Sequence, residues 1–148
     1  MKKTENPIVV QQTYDASSED VWKAITNPDE MQQWYFKEIS SFEPKVGFET
    51  QFNVQVQDRI FPHSWKVTEV IPAKKVAYEW RYKGYSGTAL VSFKVAEKAN
   101  KSELALRFEV IEDFEEDIPE FKRESAVQGW GYFIQEALKN HLDGPGNS

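Results

Sequence analysis

The sequence predicts an α+β fold in which a curved antiparallel sheet wraps around a long carboxy-terminal helix, with two short helices after the first strand. Three observations point there. Between Phe121 and Leu142, the residues Val127, Trp130, Ile134, Ala137, Leu138 and His141 recur at spacings of three and four, so they share one stripe of a helix, while Lys122, Glu124, Gln135, Glu136 and Lys139 occupy the rest. From Glu38 to Val110 the apolar period falls to two, as in half-buried strands. Turn residues interrupt that alternation at short intervals, so strands adjacent in sequence should pair in space. A sheet with one apolar face needs a cover, and the terminal helix, roughly 35 Å long at about 1.5 Å per residue, is the one element long enough.

Taken in order, Met1 to Pro7 is polar and expected to fray. Ile8 to Tyr14 reads as the first strand. Ser17, with Asp20 three residues on, caps a short helix whose apolar side is Val21, Trp22 and Ile25. Asn27-Pro28 ends it and starts a second, because Asn caps well and Pro suits the first helical position; Met31, Trp34 and Tyr35 form its apolar side. Five strands follow. Phe48, Phe52, Val54 and Val56 mark the first; Trp65, Val67 and Glu69 the second; Val76, Tyr78, Trp80 and Tyr82 the third. Ala89, Val91, Phe93 and Val95 mark the fourth, and Leu104, Leu106, Phe108 and Val110 the fifth. The connections at Asp58-Arg59, Ile71 to Ala73, Lys83 to Gly87 and Glu97 to Lys101 suit hairpins. The acidic run Glu112 to Asp117 precedes Pro119 and the long helix, where negative charge favours the positive end of the dipole. The tail 144–148 is expected to be flexible.

The chain of 148 residues is read as one domain with a full-sized core. With no cysteine there is no disulfide, thiolate nucleophile or sulfur-ligated metal, and with no apolar leader a cytoplasmic protein is the simplest expectation. No apolar run approaches the roughly 20 residues of a membrane span. A net charge of −6 opposes phosphate-backbone binding, so no nucleic-acid partner is expected.

Chemistry is sparse. His63 and His141 are the only histidines, one at a strand start and one on the helical stripe, and each suits a structural role; neither stands in a metal-ligand or triad spacing, so no catalytic residue, metal or cofactor is assigned. Binding is the more natural expectation. Aromatics make up 14% of the chain, and Trp34, Phe52, Trp65, Tyr78, Trp80, Phe108 and Trp130 either fill the core or line an apolar cavity between sheet and helix. Glu69 decides a further point. If it faces inward among the rings, burial raises its pKa and gives an acid or base; if the strand bulges it outward, an enzymatic reading loses its best candidate. Gly129 and Gly131 flank Trp130 inside the helix at a cost of about 1 kcal/mol each, which suggests close packing against the sheet at that point.

The segment from Ala16 to Phe36 (ASSEDVWKAITNPDEMQQWYF), the Pro44-Lys45-Val46-Gly47 turn, the stretch from Trp65 to Trp80 (WKVTEVIPAKKVAYEW), and Gly129-Trp130 with Leu138 and Leu142 together carry a resemblance. In that order they resemble the START-like (SRPBCC) superfamily with its helix-grip fold, and within it the activator of Hsp90 ATPase homologue 1-like (AHSA1-like) domain. The resemblance implies a helix-grip architecture over nearly the whole chain. It implies no single activity, because the superfamily includes lipid and hormone carriers, polyketide cyclases and chaperone activators. The expectation is therefore a non-enzymatic domain that binds a small hydrophobic or amphipathic ligand. The alternatives are an Hsp90-type chaperone-activating module and a cyclase- or hydrolase-like enzyme, as a monomer or homodimer.

Overall fold

A computed structural model describes residues 1–143, so the expectation for the tail at 144–148 lies outside the described residues. The six strands are β1 (Ile8–Tyr14), β2 (Glu49–Val56), β3 (Arg59–Ile71), β4 (Lys75–Tyr82), β5 (Thr88–Lys98) and β6 (Lys101–Glu112). They form one antiparallel sheet in the order β1-β6-β5-β4-β3-β2, a meander from β2 to β6 that β1 closes beside β6. Alternation produces this directly. Phe52 and Thr50 on β2 are buried between exposed Glu49, Gln51 and Asn53, and Leu104, Leu106 and Phe108 on β6 point the same way.

Helices α1 (Ser18–Thr26) and α2 (Pro28–Trp34) start as their caps dictate. The Ser17 hydroxyl accepts from Asp20 N at 3.1 Å and the Asn27 side chain from Asp29 N at 2.9 Å, with Pro28 in the first turn. After a 3-10 turn at Pro119–Phe121, the terminal helix runs as α3 (Arg123–Tyr132), a π-helical turn over Phe133–Ala137, and α4 (Leu138–Asp143). The expected single α-helix thus carries a widened turn in its middle. There the buried Tyr14 hydroxyl on β1 donates to the Ile134 carbonyl at 2.6 Å, so an acceptor inside the widened turn is satisfied from the sheet.

Three details depart from the sequence pattern. Val127 is 45% exposed, because burial follows Ala126, Gly129 and Phe133 on the other side of Trp130 from it. The first residues, expected to fray, are tied across the acidic segment: Phe114 N donates to the Met1 carbonyl at 2.9 Å and Lys3 N to Asp113 at 2.7 Å. The acidic run does not cap the helix, whose N-cap Lys122 makes no side-chain cap bond. Its carboxylates instead hold neighbouring loops, Glu112 accepting from Thr88 and Glu115 from Ser86 N. Gly87 lies under this segment at φ +117°, and a Cβ there would stand 2.7 Å from the Phe114 Cα, so only glycine lets the two loops meet.

Helix and sheet meet unevenly. The backbone of α3, the π turn and α4 approaches β1, while α1 packs on β5 and β6. Toward β2, β3 and β4 no helix comes as close, side chains span the space, and that is where the site lies.

Candidate functional site

Between α3 and the β2 to β4 side of the sheet lies a cavity of about 180 Å³. Phe36, Phe61, Trp80, Phe108, Trp130 and Phe133 supply most of its wall, with Val54 and Val56 from β2. Met1, Glu120, Ser125 and Ala126 complete it on the side of the 3-10 turn and the first turn of α3. The Arg59 guanidinium grips Glu120 with both nitrogens, the Nη1 to Oε1 contact measuring 2.8 Å, and so ties the start of β3 to that rim.

Of the residues expected at a site, Trp80, Phe108 and Trp130 line the cavity together, Trp130 standing 5.6 Å from Trp80 and 5.8 Å from Phe108 between ring centres. Trp34, Phe52, Trp65 and Tyr78 lie behind them in a packed aromatic block. Tyr35 from the end of α2 organises that block: it stacks on Trp34 at 4.6 Å and on Trp65 at 5.3 Å, and its hydroxyl shares a 2.7 Å hydrogen bond with that of Tyr78. Burial pushes both of these phenols well above the usual tyrosine range. The Trp34 indole N–H is satisfied by the Ala24 carbonyl at 2.8 Å. These four aromatics are core.

Glu69 stands apart from both groups. A register shift between Val67 and Glu69 in the pairing of β3 with β4 turns it to the surface, where it pairs with Lys75 at 2.8 Å and its side chain is 49% exposed. The acid on which an enzymatic reading rested is outside the cavity. The close approach expected at Gly129 is also absent, since a Cβ there would meet no atom within 4 Å; Gly129 borders the cavity and leaves it open.

His63 is the residue the sequence reading passed over. It is 5% exposed, stacks on Phe52 at 5.1 Å, meets Trp80 and Tyr82 edge-on at 5.2 and 4.7 Å, and contributes to the cavity wall. Burial pushes its pKa down to about 4, against a weaker opposing effect of its hydrogen bond to the Phe61 carbonyl, so the ring is neutral at pH 7. A carbonyl only accepts, so the Nδ1 that lies 2.9 Å from it carries the proton, which leaves Nε2 as a lone pair. Phe61-Pro62-His63 was a visible signal only in its position, two residues from Trp65 on the same face of β3. Two other polar groups stand close by: the Trp80 indole N–H, sealed from solvent and turned toward the Tyr82 phenol without closing a hydrogen bond of good geometry, and that phenol itself, which burial raises above its ordinary range against a weaker opposing effect of Trp80. Among the described residues, no group of three His, Asp or Glu side chains converges as a metal site would require, and no helix is long and apolar enough to cross a membrane.

A curved antiparallel sheet holding a terminal helix over an apolar cavity, with two short helices inserted after the first strand, defines the helix-grip fold of the START-like superfamily. The family model described as activator of Hsp90 ATPase homolog 1-like protein matches residues 15–143, and the chain belongs to that family. No curated protein sequence matches it. Among solved structures, a protein of Chromobacterium violaceum superposes with a TM-score of 0.76 at 17% identity, over 93% of this chain and 97% of that one. A protein of Mesorhizobium loti does so at 0.71 and 23%, over 93% and 97%. A Colwellia psychrerythraea protein described as the Aha1 dimer does so at 0.72 and 20%, over 96% and 99%. At these identities the likeness is one of fold.

Proposed function

We propose that the protein is a non-enzymatic binding domain that holds a small apolar or amphipathic molecule between its terminal helix and its sheet. The observation that carries this is the cavity itself: about 180 Å³, walled by aromatic rings, and bordered by Gly129 where the helix presents no side chain. Its size narrows the ligand. Drug-sized sites run to roughly 300–1,000 Å³, whereas an apolar cavity of about 150 Å³ takes one benzene ring, so this space matches a single ring or a short chain. Thermal denaturation against a library of single-ring and short-chain compounds tests the reading. A hit at 100 times its Kd adds about 2.7 kcal/mol, which raises the melting temperature of a chain this long by roughly 5–10 °C. Ala126→Trp, placing an indole at the rim, should abolish the shift while leaving the unliganded midpoint within a few degrees. A library that yields no shift would count against binding.

The family description and the Aha1 dimer of Colwellia support a second reading, a module that docks on an Hsp90-type chaperone through the charged outer face of the sheet, including Glu49, Gln51, Lys66, Glu79 and Arg81. Its test is the ATPase rate of the chaperone with and without the protein. An unchanged rate removes this reading and leaves the first intact.

A further inference from the structure

The polar groups in the cavity wall specify more than an apolar guest. His63 presents an acceptor at Nε2, because its Nδ1–H is committed to the Phe61 carbonyl and the protein offers Nε2 no hydrogen bond among the described residues. The Trp80 Nε1–H is sealed even from a water molecule, and so from a guest's oxygen in the cavity; it is turned toward the Tyr82 phenol instead. Tyr82 presents the donor, a hydroxyl whose ring stands 4.7 Å from that of His63. The His63 and Tyr82 side chains border one space that is otherwise walled mostly by hydrocarbon, with Glu120 and Ser125 at its rim. An acceptor beside a donor in an apolar site is the complement of a single hydroxyl group, which gives one proton and receives one.

Charge is disfavoured in the same space. A carboxylate would set its oxygens against the His63 lone pair and the Glu120 side chain, and would lose its hydration, while the Arg59 guanidinium is already engaged by Glu120. An ammonium group would find Glu120 already taken, and neither Trp80 nor His63 offers it a negative charge.

We propose that the cavity takes a neutral, ring-sized molecule bearing one hydroxyl group, whose proton goes to His63 Nε2 and whose oxygen accepts from the Tyr82 hydroxyl. This rests on the binding reading above and adds to it the chemistry of the guest. Phenol and toluene form the discriminating pair, since they fill nearly the same volume and differ in the hydroxyl, and benzoate adds the charge.

The measurement is titration of the 15N-labelled protein with each compound, following the Trp80 indole resonance and fitting Kd. Phenol should bind roughly tenfold more tightly than toluene, the factor expected of one hydrogen bond to an otherwise unpaired site, and should shift the Trp80 indole proton; benzoate should bind more weakly than either. His63→Phe should bring phenol and toluene to within about twofold of each other. Tyr82→Phe, a smaller change should His63→Phe fail to fold, should narrow the gap in the same direction, and a gap left intact overturns the donor assignment. Equal affinity for phenol and toluene in the unaltered protein overturns the hydroxyl assignment and leaves the cavity as a general apolar site. Tighter binding of benzoate overturns the neutral guest. No perturbation by any of the three overturns the binding reading with it.

Discussion

At neutral pH the imidazole of His63 is uncharged in a wall of aromatic rings, and that has a measurable consequence for stability. The unfolded chain takes up the histidine proton near the ordinary value of 6.5, the folded chain only near 4. Between these values the unfolded state binds more protons, so stability rises with pH. The contribution is complete above about pH 6.5 and is lost as the pH falls toward 4, to a limit on the order of 3 kcal/mol. Urea midpoints at pH 7.5 and 4.5 should therefore differ more for the unaltered protein than for His63→Phe, the carboxylates being common to both. An identical difference in the two proteins would refute the assignment. At this scale the sequence was only partly legible. Trp80 and Trp130 were readable as cavity residues because each is large, amphipathic and on an inward register; His63 was not, because a lone histidine at a strand start has the same pattern whether it packs or binds. Glu69 was left open between two facings, and a bulge, which period-two alternation cannot register, settles it outward.

The terminal helix is the element on which the site depends. Its two central glycines look alike in sequence and stand in different surroundings: Gly129 borders the cavity, whereas a Cβ at Gly131 would come no nearer than 4.0 Å to the Gln135 side chain and lies outside it. Gly131→Ala should stabilise the protein by up to about 1 kcal/mol through helix propensity and leave ligand affinity unchanged. Gly129→Ala should give a similar gain in stability and weaken binding, since its methyl group enters open space at the edge of the cavity; melting curves with and without phenol separate the two. The π turn is a second point of control. Tyr14→Phe leaves the Ile134 carbonyl without its partner from β1, and should cost about 1–3 kcal/mol. Amide exchange in residues 134–138 should accelerate more than that of the sheet. The 3.6-residue stripe revealed the helix and its buried centre at Trp130, Ile134 and Leu138. It gave no sign of the widened turn, which no residue type marks and which a tyrosine 120 residues away satisfies.

For the whole molecule, the order of elements and the hairpin pairing of β2 through β6 followed from alternation and turn chemistry, because both are local; the seat of β1 beside β6 did not. The cavity did not. It exists because the terminal helix seats its backbone over β1 and leaves the β2 to β4 side to side chains, and the choice between rings that fill that space and rings that border it is made by packing across the entire sheet. Hence seven aromatics on inward positions divided into four that close the core and three that line an opening. The Arg59–Glu120 pair belongs to this scale too, since it fastens the first residue of β3 to the turn before α3 at the margin of that opening. Made at the rim, with its two charges satisfied by each other, it bears on exchange kinetics more than on the equilibrium of a neutral guest. Arg59→Gln should raise the association and dissociation rates of phenol together and leave Kd within about twofold; 1 M salt, where charges are screened beyond about 3 Å, should do the same to the unaltered protein. Relaxation dispersion of the Trp80 indole would register both. An ion pair of little thermodynamic weight would then set the residence time of whatever the fold carries.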